Sequence, residues 1–232
     1  MQTSDIRPIK ELVQSLGCKA VIYGPAGSAK TPIAATATRP LMLITEPGTL
    51  SMRNEIIPAY EAYDVKTLND FFAWFRSSKD VANYDTFCID SVSQMCEIIL
   101  TDELKNNRDG RKAYGELSRK TMEIMNGLYY TKQKHLYLIF KEQKFDENGV
   151  ITKRPFMPGQ DLPVKIPHLF DFVLRLAKVN NIPNVIGEQL AFKCIGSYDV
   201  LARNRTGNLN EFEPPHFGQL VSKAMSSPPI GY

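Results

Sequence analysis

The run Ile22-Tyr23-Gly24-Pro25-Ala26-Gly27-Ser28-Ala29-Lys30-Thr31 decides the fold of this 232-residue chain. From Gly24 to Thr31 it matches the phosphate-binding loop pattern G-x-x-x-x-G-K-[ST], except that Ala29 replaces the second glycine. In this pattern, backbone N–H groups surround the phosphates, the lysine contacts the terminal phosphates, and the Ser/Thr hydroxyl binds Mg²⁺. Residues 24–31 are therefore a candidate site for a nucleoside triphosphate, with Thr31 as a metal ligand.

The residues around this loop support the interpretation and modify it. Residues 19–23 are an apolar run of strand type and residues 33–38 are alanine-rich, which gives the order strand, loop, helix. Where the loop needs a positive φ, Ala29 costs about 1 kcal/mol more than glycine. Pro32 lacks an N–H group and removes one donor. We expect nucleotide binding to survive, with weaker or slower use of the nucleotide.

Composition limits the class of protein. The chain is 43% hydrophobic and 23% charged, which favours one sizeable core and a single domain over residues 1–232. Around that core we predict an N-terminal segment (1–17), a hairpin or loop insertion (141–167) and a C-terminal tail (208–232). The net charge of +3 permits a nucleic-acid partner without requiring one.

Targeting and cysteine patterns point to the cytoplasm. No apolar run approaches the about 18 residues of a membrane span, and the N-terminus lacks the features of a signal peptide. We therefore expect no membrane partner. The cysteines and histidines lie too far apart for a zinc site or a disulfide framework, which fits a reducing compartment.

Strand-like and helix-like segments alternate after the loop, which predicts an α/β fold with a mostly parallel sheet flanked by helices. Apolar strand runs occupy residues 40–45, 84–90 and 135–140. Helices are predicted over residues 69–78, with Asn69 or Asp70 as the cap, and over 92–104 and 113–131. A turn at 146–149 and short runs at 170–177, 190–195 and 197–202 predict a C-terminal antiparallel β extension of the same sheet.

Two carboxylates follow predicted strands. Asp90 ends the strand over 84–90, where a Walker B aspartate would support the Mg²⁺ that Thr31 holds. The alternative is that Asp90, or Ser91, caps the following helix. Glu46 follows the strand over 40–45, at the edge where ligands bind in open α/β sheets, and could act as general base on the attacking water.

In this combination the chain resembles the core of RecA/RadA recombinases, and most closely the compact phage ATPases of the Sak type. The resemblance spans roughly residues 19 to 215 and is carried, besides the loop and Asp90-Ser91-Val92, by residues 45–49 (TEPGT), 113–117 (AYGEL), 170–176 (FDFVLRL) and 203–207 (RNRTG). It implies an ATPase that uses ATP and Mg²⁺, with Glu46 catalytic, and that promotes single-strand annealing in phage recombination.

The resemblance also implies assembly. RecA-like proteins carry a basic-x-basic pair that reaches the nucleotide site of the neighbouring subunit, and here Arg203 and Arg205 would be that pair. A ring or filament of this chain would follow. The alternative is that both are solvated arginines on a turn.

Single-stranded DNA is the expected partner, with a single-strand-binding protein as a further candidate. The residues expected to contact DNA lie in two regions that match the DNA loops of RecA-type proteins: Arg108, Arg111 and Lys112, and then Lys144, Lys153 and Arg154 beside Phe145 and Phe156. A solvated hairpin with inward phenylalanines is the alternative for the second region. Gln143 is expected to sense the γ-phosphate, with Glu142 or Lys141 as alternatives at that position.

Two other functions remain open at this level. The chain could be a non-catalytic module in which ATP only organises an assembly on DNA, which Ala29 and Pro32 favour. It could also be a P-loop kinase of a small molecule or nucleotide, although the β-rich C-terminal half lacks the arginine-rich lid of such enzymes.

Overall fold

The computed structural model describes residues 6, 8, 9, 11, 16–147, 149–180 and 186–226. Its strands are β1 (Lys19–Gly24), β2 (Pro40–Ile44), β3 (Ala59–Glu61), β4 (Thr86–Asp90), β5 (His135–Glu147), β6 (Val150–Pro155), β7 (Phe172–Val179), β8 (Gln189–Lys193), β9 (Arg203–Asn204) and β10 (Phe212–Glu213). Its α-helices are α1 (Lys30–Ala34), α2 (Val65–Ser77), α3 (Val92–Asn106), α4 (Gly110–Tyr129), α5 (Leu162–Leu169) and α6 (Phe217–Ala224). Short 3-10 helices cover Thr49–Met52 and Lys79–Asn83.

The strands form one sheet in the order β10-β8-β7-β1-β5-β4-β2-β3, with β6 paired to β5 and β9 paired to β7. β1 pairs in parallel with β5 and β7, and the β5-β4-β2-β3 side is also parallel. The antiparallel pairs are β7–β8, β8–β10, β7–β9 and β5–β6. The predicted α/β class, with a mostly parallel sheet and an antiparallel C-terminal extension, is confirmed.

Two details of the predicted extension are corrected. The run predicted over 170–177 as part of the antiparallel extension is β7, which pairs in parallel with β1, so the antiparallel part begins at β8. Residues 197–202 do not form a strand, since only isolated bridges involve Ser197 and Val200. Strands of this length depend on their neighbours for hydrogen bonds, which the local sequence does not specify.

The hydrophobic core lies on both faces of the sheet, and β1 is therefore buried along its whole length. Successive side chains of a strand point to opposite faces, so Val21 and Tyr23 pack with α2, α3, α4 and α5, while Ala20 and Ile22 pack with α1 and α6. A strand that is covered on both faces reads as a continuous apolar run, which is why the sequence signals β1 clearly.

The helix predicted over 69–78 begins earlier, at Val65, and neither Asn69 nor Asp70 caps it. Asp64 is the N-cap: its Oδ1 accepts from Thr67 N at 2.7 Å, and Asp64 N donates to Thr67 Oγ1 in return. Phe71, with the neighbouring Phe72 and Phe75, is buried against the sheet. The aromatic cluster marks the packed part of the helix, whereas the cap lies a turn earlier.

The predicted hairpin is present, because β5 continues past the sheet edge and pairs with β6 from Glu142↔Pro155 to Glu147↔Val150. Asn148 in its turn lies outside the described residues, as do most of the predicted N-terminal segment (1–17) and residues 227–232 of the predicted tail. Among the described helices, none combines the length and the apolar character needed to cross a bilayer.

Candidate nucleotide site

The candidate site is a cleft of about 420 Å³ at the carboxyl ends of the parallel strands. The loop after β1 supplies Lys30 and Thr31, the end of β2 leads to Glu46, β4 ends in Asp90, and β5 passes through Lys141. Parallel strands bring their carboxyl ends to the same edge, so residues far apart in sequence meet here. The structure thus brings together the phosphate-binding loop and both predicted carboxylates.

The loop has the backbone conformation expected of its sequence. Gly27 has φ 76° and Ala29 has φ 58° with ψ 27°, so both are left-handed. Ala29 thus occupies a position of positive φ, the case in which an alanine is more costly than a glycine. The helix α1 starts at the next residue, and Ile33 N donates to Ala29 O at 3.1 Å, which ties the loop to the first turn. Pro32 lies in the first turn of α1, where a backbone N–H has no acceptor within the helix, so the missing N–H breaks no helical hydrogen bond.

Lys30 is folded back over the loop. Its Nζ donates to Gly24 O and Pro25 O, both at 2.9 Å, and to Ser28 Oγ at 3.4 Å. All these acceptors are neutral. Burial lowers the pKa of Lys30, against the opposing effect of the Asp90 carboxylate nearby. An ammonium that holds only neutral acceptors in a partly buried loop is well suited to exchange them for phosphate oxygens.

Thr31 and Asp90 form a direct contact. The Thr31 hydroxyl donates to Asp90 Oδ2 at 2.6 Å, and Asp90 is buried with 8% of its surface exposed. Burial raises the pKa of Asp90, while the hydrogen bond from Thr31 works in the other direction. A hydroxyl and a carboxylate side by side provide the oxygen ligands that Mg²⁺ prefers. The residues present therefore fit a Mg²⁺ site, as the sequence predicts for this pair.

Two buried hydrogen bonds join the chain segments that carry the two carboxylates. The Thr45 hydroxyl donates to Ser91 O at 2.7 Å and accepts from Ser91 N at 2.9 Å, which joins the residue before Glu46 to the residue after Asp90. Ser91 also caps α3, because its hydroxyl accepts from Gln94 N at 3.2 Å. Of the two alternatives, Ser91 is thus the helix cap, which leaves the Asp90 carboxylate for Thr31. Sequence reasoning missed Thr45, whose only signal is a hydroxyl at the end of an apolar strand.

Glu46 lies in the cleft and is ion-paired. Its Oε2 is 2.8 Å from Lys141 Nζ, which also donates to Gln94 Oε1 at 2.8 Å. Glu142 lines the same cleft and pairs with Arg175 of β7, with Nε to Oε2 at 2.6 Å. The sequence indicates neither Lys141 as the partner of Glu46 nor Arg175 as the partner of Glu142, because both partners come from strands distant in sequence.

Gln143 does not line the cleft, contrary to its predicted role as γ-phosphate sensor. It pairs with Arg154 in the hairpin, one position beyond the cleft-lining residues. The reason is that β5 runs on as a regular strand past the sheet edge, so the contact with the cleft ends at Glu142. The alternatives at this position, Lys141 and Glu142, are the residues that face the cleft.

Arg203 and Arg205 lie far from their own cleft. They lie on either side of Asn204, which pairs with Phe172 at the amino end of β7. This end of β7 is at the edge of the sheet opposite the cleft. Arg203 donates to Pro167 O and Phe170 O, and the latter distance is 2.7 Å. Arg205 donates to His168 O at 2.8 Å and pairs with Asp171 at 3.0 Å. Within the chain they satisfy carbonyls at the end of α5, and their predicted role in a neighbour's site stays a prediction.

The predicted DNA contacts separate into two groups. Arg108, Arg111 and Lys112 surround the turn between α3 and α4, are exposed, and make no ion pair with any described residue. In the hairpin, Lys153 pairs with Asp199 at 2.7 Å, and Arg154 stacks 4.6 Å above the Phe145 ring. Lys144 is exposed. The hairpin cations other than Lys144 thus have partners within the chain.

A groove of about 910 Å³ adjoins the first group. It runs between the first turns of α4 and the segment 158–162. Arg111 and Tyr114 line it from the α4 side. Tyr114 is 45% exposed. Gly159 lies against its ring, since a Cβ added at Gly159 would be 3.3 Å from Cδ1 of Tyr114. The groove therefore combines an exposed aromatic face with an exposed guanidinium.

Comparison with known proteins gives the family. Residues 16–206 match the family model described as an AAA domain. No curated protein matches the chain. Among solved structures, it is similar to the KaiC-like protein PH0186 from the hyperthermophilic archaeon Pyrococcus horikoshii OT3, with 13% sequence identity over 76% of this chain and 78% of that chain and a TM-score of 0.43. Because the family model spans most of its length, the chain belongs to the AAA domain family.

Proposed function

We propose that this protein binds ATP with Mg²⁺, hydrolyses it, and uses it to assemble on single-stranded DNA and promote annealing in phage DNA metabolism. The observation that carries the nucleotide part is the meeting of Lys30, the Thr31–Asp90 contact and Glu46 in one cleft. These groups match the requirements of phosphoryl transfer to water: a phosphate cradle, metal ligands and a carboxylate near the reacting phosphate.

The binding roles follow from the contacts. Lys30 exchanges its carbonyl acceptors for phosphate oxygens, while the loop from Gly24 offers its backbone N–H groups. Thr31 and Asp90 would hold Mg²⁺, which when bound neutralises phosphate charge. Their 2.6 Å contact aligns the two oxygens towards the same side of the cleft.

Glu46 acts as the general base. One of its carboxylate oxygens takes a proton from a water molecule as the water oxygen bonds to the γ-phosphorus and the bond to the leaving diphosphate oxygen breaks. The side chain is 26% exposed and faces the cleft, so both water and nucleotide can reach it. The hydrogen bonds between Thr45 and Ser91 tie the backbone before Glu46 to the backbone after Asp90.

The test measures binding and turnover separately. Lys30→Ala is expected to abolish binding of a fluorescent ATP analogue, and Glu46→Gln is expected to bind it and lose turnover. Lys132→Ala, an exposed lysine at the opposite sheet edge, and Glu123→Gln, on an exposed face of α4, are the matched controls. If the Glu46→Gln protein hydrolyses ATP at the normal rate, Glu46 is not the general base.

For DNA, the observations favour the turn between α3 and α4 over the hairpin. Its cations have no ion-pair partner among the described residues, and Tyr114 offers a face on which a base can stack, an interaction worth about 1–3 kcal/mol per base. The triple substitution of Arg108, Arg111 and Lys112 to alanine is expected to weaken binding of an oligothymidine and to flatten its salt dependence. Lys132→Ala serves as control. An unchanged affinity in the triple variant would move the DNA site elsewhere.

Assembly is proposed to place Arg205 at the nucleotide of a neighbour, in a ring or filament. The Arg205 side chain is 44% exposed, which leaves room for a second contact. Mixing the Arg205→Ala protein with the Lys30→Ala protein tests this, because each supplies what the other lacks. Recovered turnover in the mixture supports a shared site, and additive inactivity rejects it. Binding to a single-strand-binding protein can be measured on the same samples.

A non-catalytic module is the second candidate, favoured by the left-handed Ala29. In that case ATP would organise the assembly without being consumed. Absence of turnover with and without single-stranded DNA, together with nucleotide-dependent oligomers, would select this candidate over the ATPase.

A further inference from the structure

Arg175 and Glu142 form an ion pair across the end of β1. The two residues belong to β7 and β5, the strands on either side of β1. Arg175 Nε donates to Glu142 Oε2 at 2.6 Å, and Nη2 donates to Oε1 at 3.4 Å. In the register of the sheet, Arg175 is opposite Tyr23, the residue before Gly24, where the phosphate-binding loop starts. The pair therefore spans the strand that leads into the loop.

The pair is mostly buried, although one of its members lines the cleft. The side chains of Arg175 and Glu142 are 14% and 9% exposed. Glu142 belongs to the residues that line the cleft, whereas Arg175 does not. A buried ion pair contributes little net stability, because the cost of desolvation offsets most of the attraction, and an apolar pair of similar volume would serve the fold as well. The consequence of this pair is found instead in the charge of the cleft.

Lys30 is the group that an unpaired Glu142 would affect. Burial lowers the pKa of Lys30, whereas the carboxylates of Asp90 and Glu142 raise it. Glu142 is thus near enough to interact with the Lys30 ammonium through its charge. A carboxylate without its own cation attracts a neighbouring ammonium and repels phosphate oxygens. Both effects oppose the binding of a polyphosphate.

We propose that Arg175 is a positioning residue for nucleotide binding, which holds Glu142 in an ion pair and so keeps its charge from Lys30 and from the phosphates. The inference rests on the proposed function, in which the cleft binds a nucleoside triphosphate. Because Arg175 does not line the cleft, it acts through Glu142 and not by contact with the nucleotide. The effect concerns the charge around the loop, so it applies to a diphosphate as well as to a triphosphate.

The test is titration calorimetry with ADP and with a non-hydrolysable ATP analogue. Arg175→Met is expected to weaken the binding of both nucleotides about tenfold, because one negative charge is left uncompensated beside the loop. Adding Glu142→Gln to Arg175→Met is expected to restore both affinities to within about twofold of those of the unmodified protein. Glu142→Gln alone removes a negative charge from the cleft and should raise both affinities, by about twofold or more.

Lys178 and Glu188 provide a matched control. Lys178 lies on the same strand as Arg175, and its Nζ is 3.6 Å from Glu188 Oε2 at the exposed surface. Lys178→Met removes a cation from β7 and should leave both affinities unchanged. Arg175→Gln keeps a hydrogen-bond donor for Glu142 without the charge. It replaces Arg175→Met if thermal midpoints show that the methionine variant does not fold, and its loss of affinity should also be restored by Glu142→Gln.

The outcomes separate the inference from the proposed function. Restoration by Glu142→Gln supports the inference, because removing a second side chain would not repair a sheet that Arg175 merely stabilised. Unchanged affinities in Arg175→Met overturn it, as does a loss that persists in the double variant or an equal loss in Lys178→Met. If the unmodified protein binds neither nucleotide, the proposed function fails and the inference fails with it.

Discussion

Replacing Ala29 with glycine should stabilise the protein, although glycine normally destabilises. Ala29 has φ 58° and ψ 27°, a left-handed conformation in which its Cβ meets the backbone. An alanine there costs about 1 kcal/mol or somewhat more. Glycine removes this strain but gives the unfolded chain more freedom, which costs about 0.4–1 kcal/mol. The net gain expected is about 0.5 kcal/mol.

The matched control is Ala82→Gly. Ala82 is exposed in the 3-10 helix over Lys79–Asn83 and does not have positive φ. Glycine gains nothing in the folded state there and should destabilise by about 0.5–1 kcal/mol. The two substitutions, chemically identical, should therefore change the free energy of unfolding in opposite directions, with a difference of about 1 kcal/mol or more.

Urea unfolding followed by circular dichroism at constant m-value measures both changes. For a chain of this length, the expected gain for Ala29→Gly corresponds to about 1–2 °C in thermal midpoint. If Ala29→Gly lowers the free energy of unfolding as much as Ala82→Gly does, the strain reasoning is refuted. A full phosphate-binding pattern would then have no stability advantage over the alanine variant.

Three further outcomes are expected. Gly24→Ala should destabilise by about 3 kcal/mol or more in urea unfolding, because its Cβ would lie 2.0 Å from Leu176 O, a backbone atom; a tolerated alanine would mean that the two strands can separate. Thr45→Val leaves Ser91 N and O without their buried partner and should cost about 1–3 kcal/mol and reduce turnover, while Thr45→Ser should preserve both. Burial raises the pKa of Cys96 from 9.0 to about 12, so the unfolded state loses this proton first as pH rises. The stability that the neutral thiol contributes is complete below pH 9 and declines from about pH 9 to 12, by about 1.4 kcal/mol per pH unit. Unfolding measured at pH 8 to 10 should therefore show a shallower decline in Cys96→Ala, and equal slopes would contradict the reasoning.

The central part of the fold could be predicted because its signals are local. The loop over residues 24–31 fixes the order strand, loop, helix, and strands buried on both faces read as uninterrupted apolar runs. The start of α2 was missed because Asp64 and Thr67 form a reciprocal cap a turn before the aromatic residues. The strands β8 to β10 are short, and what holds them is pairing with their neighbours, β8 and β9 with β7 and β10 with β8, rather than their own pattern.

The site could be predicted only where a single strand end carries the signal. Asp90 and Glu46 each follow an apolar run, and parallel strands bring both to one edge. The partners of these carboxylates are set by tertiary contacts that no spacing announces, such as Lys141 with Glu46 and Arg175 with Glu142. The resemblance places Gln143 in the cleft as a polar residue after a strand predicted over 135–140, whereas the strand continues into the hairpin.

The position of Arg203 and Arg205 in the fold also could not be predicted from the sequence alone. Their spacing is visible in the sequence, but the sheet edge that they occupy depends on β9 pairing with the amino end of β7. That pairing places them away from the candidate nucleotide cleft of their own chain and against the end of α5. A role in nucleotide chemistry therefore requires a second subunit, which makes the mixing experiment decisive for assembly.

The balance of charge in the cleft constrains how a polyanion can enter it. Three carboxylates, on Glu46, Asp90 and Glu142, surround the space in front of the loop. Glu142 is neutralised by Arg175 and Glu46 by Lys141. Among the described residues, the side-chain partner of Asp90, whose pKa burial raises, is a hydroxyl and not a cation. A divalent cation beside Asp90 would remove the remaining repulsion, so the carboxylate that fits Mg²⁺ is also the one whose charge a phosphate would otherwise meet.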